Sequence, residues 1–96
     1  MSYGGKLELQ DVPAIAARNR LQFEAAQQAY VLLYPEGMIK LSETAAEILK
    51  RVDGAAPIAQ IITALEQAYA GVDLREDVLE FLETAYERGW ISIQGR

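Results

Sequence analysis

Hydrophobic positions recur along this chain with two different periods, and the change comes at Ser42. In RLQFEA, residues 20–25, Leu21, Phe23 and Ala25 alternate with Arg20, Gln22 and Glu24, the period-two signature of a half-buried strand. Gln27 and Gln28 lead into a second strand, AYVLLY at 29–34, where Ala29, Val31 and Leu33 face one way and Tyr30, Leu32 and Tyr34 the other. Tyr34-Pro35-Glu36-Gly37 reads as a type I turn. Its second position suits the fixed φ of Pro35, and Gly37 is expected to supply the positive φ of a bulge, so that Pro35, Glu36 and Gly37 set the register. MIKL, residues 38–41, becomes the third strand of a small antiparallel sheet, with VLLY at its centre.

Beyond Ser42 the spacing is helical. Ser42 is a good N-cap, and Ala45, Ile48, Leu49 and Val52 form one stripe of a helix that Asp53-Gly54 ends. Pro57 suits the first turn of a second helix reaching Ala70, with Ile58, Ile61, Ile62, Leu65 and Tyr69 on one side and Gly71 as its stop. Asp73 and Glu76 have the spacing of an acidic capping box for a third helix, which ends at Gly89. Trp90, Ile91 and Ile93 follow as a short apolar tail. Three strands and then three helices predict an α+β domain over 19–96, with the helices packed on one face of the sheet. Residues 1–18 form an arm too apolar for a discarded tail, with Leu7, Leu9, Val12, Pro13 and Ile15, but without clean periodicity. The arm is expected to cross the sheet or to pack on a second copy of the chain, as a homodimer contact, with residues 1–5 disordered.

The third helix carries a surplus of apolar surface. Leu74, Val78, Leu79, Phe81, Leu82, Ala85 and Tyr86 cover roughly 160° of a helical wheel, where about 100° seats a helix on a core. Either the surplus covers the other two helices, or its edge at Leu74, Val78 and Leu82 lines a groove beside an exposed strand.

Composition narrows the chemistry. The chain is 96 residues long and 51% hydrophobic, enough for one core, and holds neither cysteine nor histidine. Disulfides, thiolate nucleophiles and cysteine-ligated metals are therefore excluded, and the usual proton-transfer residue is missing. No phosphate-binding loop or D-x-D-x-D-G calcium loop occurs, so no catalytic residue, metal site or cofactor is assigned. There is no apolar run of membrane-spanning length and no signal sequence, which places the chain in the cytoplasm as an expectation. Of the formal charge of −5, none falls on residues 1–41, with four basic and four acidic side chains; residues 42–96 carry five basic and ten acidic. That acidity disfavours nucleic acid and anionic membranes and favours a protein or peptide partner.

Several stretches together resemble a known family. Arg20-Leu21-Gln22-Phe23-Glu24, Val31-Leu32-Leu33-Tyr34-Pro35-Glu36-Gly37, Lys40-Leu41-Ser42 with Ala45-Ala46-Glu47-Ile48-Leu49, and Asp53-Gly54 are similar to the PqqD family of pyrroloquinoline quinone (PQQ) biosynthesis. That family belongs with the winged-helix-type domains that recognise leader peptides of ribosomally made natural products. The resemblance runs from about Arg18 to Trp90, with Phe23 where tryptophan is frequent and Val52 where cysteine often precedes Asp-Gly.

The resemblance implies a winged-helix-like, non-catalytic peptide chaperone. Such a protein captures the precursor peptide PqqA and presents it to the radical S-adenosylmethionine enzyme PqqE. In related domains the peptide adds as a strand beside the third strand, in a groove with the third helix, a mode that needs a free sheet edge. The expected walls are Met38, Ile39, Lys40 and Leu41 on one side and Leu74, Val78 and Leu82 on the other. Lys40 doubles as a guard against uncontrolled edge pairing. Two rival readings stand beside this one. A winged-helix DNA-binding regulator would need a basic recognition helix, whereas the third helix has five acids, Glu76, Asp77, Glu80, Glu83 and Glu87, against Arg75 and Arg88. An assembly subunit that binds an enzyme but no peptide is equally compatible with the composition.

Overall fold

The computed structural model describes residues 7–95. In chain order they form β1 (Pro13–Ile15), β2 (Arg20–Glu24), β3 (Ala29–Tyr34), β4 (Gly37–Lys40), α1 (Glu43–Leu49), α2 (Ile58–Ala68), α3 (Arg75–Glu87) and β5 (Ile91–Ile93). β2, β3 and β4 make an antiparallel sheet in sequence order, and β1 pairs with β5 in a separate two-stranded ribbon. The expected α+β order of three strands and then three helices is thus present, with one further strand at each end.

Period-two patterning works because β3 is central. Leu32 is fully buried and joins the main core with residues of all three helices, while Leu21, Tyr30 and Ile39 pack against that core from the same sheet face. Val31 points to the other face, opposite Gln22 and Lys40, and is also fully buried although it lies outside the main core. The long stems of its polar neighbours suit that task, since they cover apolar surface while their heads stay in water.

The Pro35-Glu36 turn differs from its sequence reading. Gly37 holds the expected positive φ, at 158°, but it pairs directly with Tyr34, so the bulge is not formed. Neither Pro35 nor Glu36 has a positive φ, so this is not one of the primed turns that usually close two-residue hairpins.

The helices start and stop by three different devices. At α1, the Ser42 hydroxyl accepts from the Ala45 N–H at 3.1 Å, as an N-cap should. Val52 and Asp53 already lie beyond that helix, which ends at Leu49 with Lys50 as its cap. At α2, Pro57 offers no side-chain cap, and the arm supplies one: the carbonyls of Asp11 and Leu9 accept from the N–H groups of Ile58 and Ala59, both at 2.9 Å. At α3, the capping box is not formed. Leu74 is the N-cap residue; Asp73 accepts from the Arg75 N–H at 3.2 Å, and the Glu66 carboxylate reaches from α2 to take the Leu74 N–H at 2.8 Å.

The arm is part of the same folded body. Leu7 is only 3% exposed within the core, Leu9 and Ile15 pack against it, and β1 runs antiparallel to β5 with Pro13 opposite Ile93. The boundary drawn at residue 18 therefore has no counterpart in the packing of residues 7–18; residues 1–5 lie outside the described residues. The apolar tail at 90–93 is strand β5, its pairing with β1 burying Ile91 and Ile93. Asp53 bridges to Ala14, and the Gly54 N–H donates to the Pro13 carbonyl at 3.0 Å. Gly54 holds φ 78°, a left-handed conformation that L side chains rarely adopt, so glycine is needed there for its backbone freedom.

Two carboxylates are tuned by these contacts. Hydrogen bonds from Lys50 and Arg51 hold Glu47 below its ordinary pKa, and N–H groups of Ala56 and Ala55 do the same for Asp53. A folded-state pKa below the unfolded one gives stability that is present above the unfolded value and lost as pH falls through the folded value. Thermal unfolding midpoints should therefore fall as pH drops through and below the ordinary carboxylate range. In Asp53→Asn and Glu47→Gln variants that acid dependence should be smaller, which differential scanning calorimetry between pH 7 and pH 3 would measure.

Candidate peptide-binding site

β4 is an edge strand, and the ladder fixes which of its main-chain groups are free. The Leu41 N–H donates to the Tyr30 carbonyl at 2.9 Å. Main-chain groups alternate in direction along an antiparallel strand, so with Ile39 opposite Leu32 and Gly37 opposite Tyr34, residues 37, 39 and 41 turn their N–H and C=O towards β3. Met38 and Lys40 turn theirs outward, where no strand of the sheet lies beyond β4.

The pleat divides the side chains the other way. Ile39 is half-buried and packs on the core, and Leu41 is 6% exposed within it; both are on the helix side of the sheet. Met38, 47% exposed, and Lys40, also exposed, share the opposite face with Leu33 and Val31. The four MIKL residues thus divide between main-chain edge and core: Met38 and Lys40 offer free peptide groups, whereas Ile39 and Leu41 anchor the strand.

α3 provides the neighbouring surface. At its N-terminal end an apolar cleft is lined by Ser42, Ala45 and Ile48 of the α1 region, by Leu65 and Tyr69 of α2, and by Leu74, Val78 and Phe81. At its C-terminal end a second hollow brings Ile39 of β4 together with Tyr34, Pro35 and Glu36 of the hairpin and with Arg88, Gly89 and Trp90. These hollows lie at the two ends of one helix; Ser42, just after β4, lines the first and Ile39 of β4 lines the second. The 13 residues of α3 span about 20 Å, which an extended segment of about six residues would match.

Of the residues singled out on α3, Leu74 is half-buried and lines the cleft, Val78 is 2% exposed at its wall, and Leu82 is fully buried in the core without lining either hollow. Phe81 stands between the hollows, half-buried and tilted against Trp90 at 6.4 Å between ring centroids. Sequence reasoning passed over Phe81 as a site residue although it lay on the wide stripe; as the stripe's central aromatic position it was the available signal. Tyr69, 39% exposed, and Ile48 join the cleft only through the packing of α1 and α2 on α3.

This arrangement has counterparts in known proteins. The family model described as "Coenzyme PQQ synthesis protein D (PqqD)" matches residues 29–91. The chain belongs to the PqqD family. A PqqA binding protein of Azotobacter vinelandii is 51% identical over 86 residues, spanning 88% of this chain and 94% of its own. One from Klebsiella pneumoniae is 53% identical over 76 residues, covering 76% of this chain and 80% of its own. Among solved structures, the solution structure of the PqqD truncation of Methylobacterium extorquens PqqCD superposes with a TM-score of 0.77 at 29% identity, covering 92% of this chain and 96% of that one. That PqqD is described as a functional, stand-alone recognition element for ribosomally synthesised and post-translationally modified peptides. No helix among the described residues is long and apolar enough to cross a membrane.

Proposed function

We propose that this protein is a non-catalytic peptide chaperone of PQQ biosynthesis, working in the cytoplasm, that binds the precursor peptide PqqA by strand addition and presents it to PqqE. The observation that carries the reading is the outward-facing main-chain edge of Met38 and Lys40 on β4, a strand that runs through Leu41 into Ser42 at the rim of the apolar cleft on α3. An extended peptide laid on that edge gains main-chain hydrogen bonds from Met38 and Lys40, while Leu74, Val78 and Phe81 receive alternate apolar side chains. Family membership and relatives named for PqqA binding support the choice of peptide. Holding the peptide extended leaves its backbone displayed for an enzyme working elsewhere along it.

A homodimer through the arm is not part of the proposal, because Leu7, Leu9, Pro13 and Ile15 are already engaged within the chain. DNA recognition finds little support in α3, whose exposed positions include Glu76, Asp77, Glu80 and Glu87.

Titration of the isotopically labelled protein with PqqA tests the binding mode. The amides of Met38 and Lys40 should shift strongly and become protected from solvent exchange, while Leu41, already bonded to Tyr30, keeps its protection unchanged. If Met38 and Lys40 are silent at saturating peptide, the strand-addition mode is wrong.

A further inference from the structure

The two hollows along α3 differ in charge. At the hairpin end, Arg18 and Arg88 line the hollow with Asn19, Tyr34, Glu36 and Trp90, and an adjoining hollow adds Arg20 across the wall made by Arg18, Asn19 and Pro35. Two of the nine basic residues of a chain with formal charge −5 therefore line one hollow, while Arg20, opposite Leu33, lies on the other face of the sheet. Among the described residues neither Arg18 nor Arg20 lies within salt-bridge distance of a carboxylate; the ion pairs found there join Glu47 to Lys50 and to Arg51. Arg88 is held over the Trp90 ring at 5.7 Å, a contact that fixes the guanidinium beside the hollow without neutralising it. The negative end of the α3 dipole lies here too, but the Asn19 side-chain amide donates to the carbonyls of Gly89 and Trp90 at 3.0 and 3.3 Å and takes up part of it. Among the described residues, Glu36 is the one carboxylate lining the hollow. At the other end Asp77 is the one charged residue, among those described, that lines the cleft.

We infer that Arg18 and Arg88 form a subsite for an acidic side chain of the bound peptide, at the end of the β4 edge next to the hairpin turn. This rests on the reading above that a peptide lies along β4. Main-chain pairing on an edge strand says little about which part of a peptide is bound, because every residue offers the same groups. A cationic corner at one end and an acidic residue at the other supply the missing discrimination: a carboxylate is attracted at the turn and repelled near Asp77, so shifting or inverting the peptide carries a like-charge contact. The arginine forks suit a carboxylate, which they hold through paired N–H donors. Exposed charges act over roughly 8 Å at physiological ionic strength, so the preference is short-ranged and weakens with salt.

The test combines Arg18→Gln and Arg88→Gln in one full-length variant and measures its PqqA affinity by calorimetry at 50 and 500 mM salt. It is set against PqqA peptides in which each acidic residue in turn is replaced by its amide. The expected result is about a fivefold weaker Kd at low salt, the size that two partly exposed ion pairs provide. The difference should shrink at high salt and disappear against the one peptide whose own acid has been neutralised. Unchanged affinity in the double variant, with wild type still binding PqqA, overturns the subsite and leaves strand addition standing. An equal loss against every neutralised peptide also overturns it, since Arg88 would then act through its packing on Trp90. Absence of PqqA binding by the wild type overturns the binding reading and the subsite with it.

Discussion

Lys40→Pro should weaken PqqA binding about tenfold or more while the protein stays folded. Proline removes the residue's N–H, and at position 40 that N–H faces outward rather than towards β3. No hydrogen bond of the sheet is lost, and the preceding Ile39 already lies in a strand, as a residue before proline prefers. The bound peptide loses a donor, so one of its carbonyls is left without a partner in a partly desolvated groove. Such an orphan costs about 1 to 3 kcal/mol, and 1.4 kcal/mol is a factor of ten in affinity. Ile39→Pro is the matching control. Its N–H faces Leu32 across the ladder, so that change should unfold or strongly destabilise the sheet instead. Calorimetric titration with PqqA together with thermal unfolding of both variants separates the two effects. Retention of full affinity in a folded Lys40→Pro variant would show that the β4 edge is not where the peptide pairs.

Leu82→Ala should act on stability above all. The side chain is fully buried where α3 meets the rest of the core, and removing three carbons leaves a cavity that neighbouring helices close only in part. Comparable buried leucine truncations cost about 3 to 5 kcal/mol. In a domain of this size that corresponds to a fall in unfolding midpoint on the order of 15 °C. Leu74→Ala makes the informative comparison, because Leu74 is half-buried and lines the cleft. It should leave the unfolding midpoint within a few degrees, its loss appearing in peptide affinity. The pair distinguishes a residue that builds the floor from one that offers surface, a distinction the helical wheel does not make.

That distinction marks where the sequence becomes illegible. The alternations of β2 and β3 and the stripes of α1 and α2 were readable because each repeats often enough to define a period, and the Ser42 cap because its partner is three residues away. β1 and β5 have three residues each; neither establishes a period, and each is a strand only because the other end of the chain lies beside it. The same distance in sequence hid the caps of α2 and α3. The Asp73 and Glu76 pattern suggested a local box, but Glu66 of the preceding helix was placed to take the Leu74 N–H instead. At the candidate site, the edge strand and the apolar surplus of α3 could be read locally. The split of MIKL into outward peptide groups and inward anchors depends on the ladder's phase, which the Leu41 to Tyr30 bond sets. The arginine corner joins positions 18 and 88, and no one-dimensional pattern links them.

The ribbon of β1 and β5 has a consequence for how this domain combines with others. Pro13 lies opposite Ile93, but the chain before Pro13 stays with the body: Leu7 sits in the core and the carbonyls of Leu9 and Asp11 hold the first turn of α2. A fusion made through the arm must therefore spare residues 7–12 if α2 is to keep its start. The Methylobacterium relative, the PqqD portion of a PqqCD chain, is one natural instance of such a join. A circular permutant with new ends in the exposed loop 25–28 would need its linker to run from β5 to residue 7 rather than to β1, so that Leu7 stays in the core and Leu9 and Asp11 keep capping α2.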